Sequence, residues 1–300
     1  MSRSYILRKG VSKLRDLADG IQSSLPPNHG EVFYVNGITW ANGFGTGSDA
    51  NDGLSPEEPL MTLTKALSYC TTEANDYIFI LDYYQPTGET WPVSVNKSLV
   101  NIIGLQPRHP STKWVCMYAP STTACMDIVA DCVYLEGLGF YPNAASAGIT
   151  VDDGKKMLHI HECFFAQGTY GLSVTSGDWG FNIAVTDSFF LSSLSSGGIS
   201  VQDDPPGVWI EGCHFDRLTG DCINISAGAY HRIINNTFAL KANTEGLAIT
   251  LGSAVSRAFV SGNSAGYGVA TTTSPYDDAG TVTTNNWGVN YLGTTAIDPV

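Results

Sequence analysis

Apolar residues in this chain recur on two scales. Within short stretches they alternate with polar ones, and the stretches themselves repeat. VYLEGLGF (133–140), LHIHECFF (158–165), IAVTDSFF (183–190), VWIEGCHF (208–215) and HRIINNTF (231–238) superpose, ending on Phe140, Phe165, Phe190, Phe215 and Phe238 at steps of 25, 25, 25 and 23. A second set runs in phase: AGITV, YGLSV, GGISV, DCINI and EGLAI, centred on Ile149, Leu172, Ile199, Ile223 and Leu247 at steps of 23, 27, 24 and 24. Strict alternation marks a half-buried strand. A repeat in the low twenties with two such strands per period predicts a β-solenoid, because one rung cannot bury its own apolar face and must stack on the next.

Alternation also assigns faces. In the first set the inward columns are Val133/Leu135, Leu158/Ile160, Ile183/Val185 and Val208/Ile210, with the phenylalanines returning inward as a stack. The outward columns are Tyr134/Glu136, His159/His161, Ala184/Thr186, Trp209/Glu211 and Arg232/Ile234, followed by Gly137, Glu162, Asp187, Gly212 and Asn235, types that tolerate a bend. The second set turns Thr150, Ser173, Ser200, Asn224 and Ala248/Thr250 outward, a flat and nearly uncharged wall suited to side-by-side packing or to solvent.

The ends break the pattern. Residues 1–30 form an amphipathic, basic arm and linker: Leu7, Val11, Leu14, Ala18 and Ile21 make a heptad-like stripe predicting a helix over 4–24 that docks or self-associates. Residues 31–75 read as a strand, a Gly/Asp loop and a short helix over PLMTLTKAL, with Leu60, Leu63, Ala66 and Leu67 on one side. About eight rungs are expected over 76–264, and 265–300, Thr/Asn/Gly-rich with Trp287 and Tyr291, as a C-terminal cap or arm.

The order strand, Gly/Asp loop, capping helix, carried by Gly47, Asp49, Asp52, Gly53, Leu54, Ser55, Pro59, Thr62 and Ala66 and followed by the rungs, resembles the right-handed parallel β-helix superfamily, the pectate-lyase-like fold also used by phage tailspikes. The resemblance implies an all-β, single-stranded right-handed parallel β-helix whose end strand is covered by the cap. It says little of activity, since one fold hosts many functions. The lyases of that superfamily bind Ca2+ through clustered aspartates and use an arginine base. Here Arg232 stands alone on its face and Arg217 sits in a turn, so that pattern is not matched.

Charge changes the picture in one respect. The net charge of −13 splits into +3 over residues 1–30 and −16 over the rest. An acidic body disfavours nucleic acid and anionic membranes, and no apolar run reaches membrane length. The seven cysteines lack metal-type spacing and read as small core residues made in a reducing compartment. No secretory h-region is seen.

Chemistry is sought on the outward face. Tyr134, His159 and Trp209 are candidate ligand-binding residues, since aromatics flanking carboxylates suit saccharides. Should the protein be an enzyme, Glu136, His161 and Glu211 would carry the reaction. Glu136 and Glu211, three rungs apart, are too distant for a carboxyl pair, whereas Glu136 and His161 are one rung apart. Asp49, Asn51 and Asp52 have a Ca2+-like spacing, with turn bonding as the plainer reading, and no other cofactor is expected. The expectation is a phage-type virion component, a head-decoration, fibre or tailspike-like homotrimer docked on capsid or other virion proteins through its arm and touching host-surface polysaccharide. A polysaccharide lyase or glycoside hydrolase and a non-viral carbohydrate-binding adhesin are the alternatives.

Overall fold

The computed structural model describes residues 25–38, 44–105, 115–120, 122–143, 145–151, 157–175, 183–202, 207–240, 246–267, 274–279, 285–292 and 295–297. The stripe of Leu7, Val11, Leu14 and Ile21 lies outside them. The described chain is an all-β parallel solenoid with one short helix, as the repeat predicts. Successive coils stack in register: Leu158 stands on Val133 and under Ile183, and Ile183 under Val208.

Three sheets form, where two strands per period were expected. VYLEGLGF is two strands, Val133–Glu136 in sheet 1 and Leu138–Tyr141 in sheet 2. The residue between them bends the chain through the left-handed region: φ is 68° at Gly137, 48° at Glu162, 51° at Asp187, 67° at Gly212, 56° at Asn235 and 71° at Gly262. Gly, Asn and Asp reach that region at least cost. The stretches AGITV to EGLAI build sheet 3, with one correction. Ile249, and not Leu247, stands on Ile223, so the last repeat slips by two residues and Thr250 covers Asn224.

Seven turns carry all three strands, from Val100–Gly104 to Tyr276–Asp278, against about eight expected. The turn before them, through Asp76–Ile80 and Val93–Val95, meets sheet 2 only by the single bridge Tyr84–Met117. The ladders run on past residue 264: Tyr276–Asp278, Asn286–Trp287 and Asn290–Leu292 still pair in parallel, and the antiparallel Thr295–Ile297 closes sheet 2.

What carries the coil through the Thr/Asn/Gly-rich tail is a buried polar column. Asn236 donates from its main-chain N and its Nδ2 to Asn263 Oδ1, both at 3.0 Å, and Asn263 does the same to Asn290 Oδ1 at 3.1 and 2.9 Å. Each Nδ2 also reaches a carbonyl one turn back, Ile210, Ile233 and Val260 respectively. In earlier turns the same column holds Cys163, Ser188 and Cys213, with Ser188 Oγ accepting from Cys163 N at 3.1 Å. Apart from this column and fully buried His231, whose Nδ1 accepts from Val208 N, the coil interior is mainly apolar, and the phenylalanines stack along it with centroids 5.1, 4.6, 4.7 and 5.0 Å apart from Phe140 to Phe238. No disulfide joins the seven cysteines. Burial pushes the Cys213 and Cys125 thiols up to about 12, which keeps them protonated and inert.

The N-terminal cap follows the expected order. The Leu63–Tyr69 helix buries Leu63, Ala66 and Leu67 on the first coil, and Thr62 caps it by accepting from Lys65 N. Asp49 Oδ1 accepts from Met61 N and Thr62 N, and Thr62 Oγ1 donates to Asp49 Oδ2 at 2.8 Å. Asn51 donates to the Pro59 carbonyl and Asp52 accepts from Leu54 N. The three residues with Ca2+-like spacing thus hold the loop's own backbone and helix cap.

A second left-handed column precedes sheet 1. There Leu99, Met157, Tyr230 and Arg257 have φ of 58°, 61°, 63° and 54°. A side chain in that region costs about 1–2 kcal/mol, and Met157 is exposed. Met157→Gly should therefore raise stability by about 1 kcal/mol after glycine's own entropy is counted. Thermal melting checks this, and a lower midpoint would show that the Met157–Cys132 sulfur contact outweighs the backbone term.

Candidate functional site

The outer face of sheet 1 is divided in two. At its N-terminal end Val32, Tyr34, Phe79, Leu81, Ile103 and Leu105 form a separate apolar cluster, roofed by Leu25, Phe44 and Tyr77. Beyond it the face opens into a shallow groove of about 400 Å3, lined by Tyr134, His159, His161, Thr186, Asp187, Trp209, Glu211, Gly212 and Asn235. Five of the six candidate residues therefore converge there.

Glu136 does not. It points outward from the sheet, as alternation requires, yet it is fully buried. The reason is its row: Glu136 pairs with Ile103 of the roofed cluster, and half-buried Tyr134 donates its hydroxyl to Glu136 Oε2 at 2.8 Å. Alternation fixes direction but not what covers a face. Burial, then the Glu136 charge, push the Tyr134 hydroxyl's pKa well up, so it stays a donor. His161 is in register with Glu136, but its Nδ1 turns to Thr186 Oγ1 at 2.9 Å and lies 3.6 Å from Asp187 Oδ2, with Nε2 3.9 Å from Glu162 Oε1.

Thr186 and Asp187 complete the groove; residue type marked Asp187 only as a bend and Thr186 not at all. Thr186 occupies the same outward column as His161 and Glu211, which is the signal that could have found it. Its hydroxyl meets His161 Nδ1 and, at 3.0 Å, His159 Nε2. A hydroxyl has one proton, so it donates to one imidazole and accepts from the other, which couples the two tautomers. Burial, then the neighbouring His161, lower the His159 pKa, while Asp187 opposes them. Asp187 sits at the left-handed bend with a side chain 60% exposed. Gly212 in the next rung leaves room for it: a Cβ there would come 2.5 Å from Asp187 Oδ1.

Trp209 lies at the other end, 42% exposed. Its indole N–H donates to Glu211 Oε2 at 2.9 Å, and the Arg232 guanidinium carbon lies 5.4 Å from its ring centroid. Arg217 pairs with Asp216. Among the described residues no group of three His, Cys, Asp or Glu is placed to hold a metal ion.

The wall of sheet 3 is less open than its sequence suggests. Ser173 and Ser200 are buried within the single chain, so that part of the wall is already covered.

No protein-family model matches the sequence, and no curated protein matches it. Among solved structures a rhamnogalacturonan lyase is similar over 87% of each chain, at 13% identity and a TM-score of 0.47. The parallel β-helix described above rests on strand pairing and register, not on this likeness.

Proposed function

We propose that this chain is a saccharide-binding β-helix whose ligand lies along the sheet 1 groove. Trp209 carries the reading. An exposed indole, fixed through its N–H by Glu211 and backed by Arg232, is a rigid apolar platform beside polar groups, the combination that orients a sugar. Holding an exposed indole in one rotamer costs entropy, and that cost supports a binding role for it.

Binding without cleavage is the form this takes. The groove is shallow, and the Asp187 side chain is well exposed, whereas acid–base chemistry gains most in sites closed to water. The wider setting is the surface of a phage-type particle, where a rigid rod would present this face to a host glycan as a homotrimer. The seven cysteines outside disulfides, six of them buried, support synthesis in a reducing cytosol. Fixed-stoichiometry copurification with particles of viral size tests that setting.

One observation favours cleavage instead: His161 held beside Thr186, Asp187 and Glu162 resembles a positioned base. The two readings separate in one experiment. Electrophoresis through gels containing host-surface polysaccharides should show retarded migration. That retardation should weaken roughly tenfold or more in Trp209→Ala, with polysaccharide chain length unchanged on incubation. Shortened chains, with shortening lost in His161→Ala, would establish the enzyme.

A further inference from the structure

The register that builds the groove also sets one small residue, Ala184, between two of its lining residues, His159 and Trp209, and so leaves a gap beside them. Along one outward column of sheet 1 the residues in register are Tyr134, His159, Ala184, Trp209 and Arg232. Four carry rings or a planar guanidinium; Ala184 carries a methyl group. Parallel strands lie about 4.8 Å apart, so the His159 and Trp209 backbones are about 10 Å apart; the strand between them offers only a methyl group in this column, and His159 Nε2 reaches Thr186 Oγ1 of that strand at 3.0 Å. The two sides of the gap are braced from outside. Arg232 covers the Trp209 face turned away from Ala184, and Tyr134 meets His159 edge-on at 5.2 Å. The Trp209 face turned toward Ala184 looks into the gap.

We propose that this gap over Ala184 seats a single uncharged sugar ring, stacked on Trp209, within a longer glycan that follows sheet 1. The proposal rests on the saccharide-binding reading and narrows it. Size decides the number of rings. Carbon atoms in contact sit about 3.5–4 Å apart, so one ring between two walls needs about 8 Å and two rings need about 12 Å. Only one fits. Charge decides its class. Asp187 and Glu211 border the gap, with Glu162 one rung away, and all three would repel a uronate. Among the described residues the cation of this column is Arg232, which lies behind the indole. Burial disfavours a charge on His159, so it offers little compensation. A neutral sugar brings hydroxyls, which donate well to carboxylates, and Thr186 and the two histidines supply further polar contacts at the floor.

The test fills the gap from the protein side. Ala184→Leu places a branched side chain against the indole, and Ala184→Ser keeps the space. Ala184 is half-buried on the sheet's outer face, so both should fold, with thermal melting as the check. Ala184→Val, which suits a strand, takes the place of leucine should that variant melt early. Each protein is run through gels containing a neutral β-glucan, a galactan or a mannan, and through gels containing polygalacturonate. The expected result is retardation by at least one neutral polymer and none by polygalacturonate. The leucine variant should weaken binding roughly tenfold or more, and the serine variant should keep it. Full binding by the leucine variant, or equal retardation by polygalacturonate, overturns the proposal. If Trp209→Ala still abolishes that binding, the saccharide-binding reading survives its loss. Retardation by none of the polymers overturns both.

Discussion

Replacing Phe190 with alanine should lower the unfolding free energy by about 3–5 kcal/mol. Phe190 is fully buried and sits mid-stack, 4.6 Å from Phe165 and 4.7 Å from Phe215, with its ring 8° from parallel to each. Truncation removes the transfer energy of the ring and leaves a cavity that two rigid neighbours cannot fill. It also ends two aromatic contacts, each worth about 0.5–1.5 kcal/mol beyond burial. The neighbours cannot collapse, because their backbones are pinned in register by parallel ladders on both sides. Chemical denaturation reads the change as a lower midpoint. A loss under about 1 kcal/mol would mean the stack is not the spine of the coil.

Asn263→Ala should cost about 2–5 kcal/mol, by a different route. The substitution leaves Asn236 N buried with its side-chain acceptor gone, takes the amide donor from the Ile233 carbonyl, and takes one of two donors from Asn290 Oδ1, which keeps the main-chain N–H of residue 263. Each orphaned buried group costs about 1–3 kcal/mol, more than the bond it made was worth. The loss should localise. Turns in a solenoid contact only their neighbours, so the coils after residue 263 should fray first. Amide exchange resolved by segment would show this as faster exchange over 276–292, with the coils around Phe165 protected. Asn224→Ala, at a half-buried surface position bonded to Asp221, should cost far less. Uniform exchange along the whole chain would contradict the column's local role.

Most of the fold is legible in the sequence because the solenoid repeats one physical constraint many times. The inward columns and the Phe140-to-Phe238 stack follow from alternation alone, since a slip of one residue would turn every apolar side chain outward. What escaped was whatever only stacking creates. The third sheet depends on a bend at Gly137 and its equivalents, visible as residue types but not as an angle. The column Asn236, Asn263 and Asn290 repeats at 27 residues, yet asparagine inside a core reads as a loop residue until its partners are in place. The slip at Ile249 followed from an apolar pattern, EGLAI, that fits two registers.

The site was legible in its columns and not in its depth. Tyr134, His159, His161, Trp209 and Glu211 do share one groove. Glu136 fell out because its row continues from Ile103 of an apolar cluster against which Leu25 and Phe44, far away in sequence, pack. Thr186 and Asp187 were in the right columns but carried no signal as residue types. Ala184 was the least conspicuous of all, since its importance lies in being smaller than the rings on either side.

The most direct test is a crystal structure of the protein soaked with an oligosaccharide of the neutral polymer that retards it. One sugar ring should lie over Ala184, its face against the Trp209 indole and its hydroxyls toward Asp187, Glu211 and Thr186. A ligand bound elsewhere on the rod, or a groove left empty by every oligosaccharide tried at saturating concentration, would contradict it.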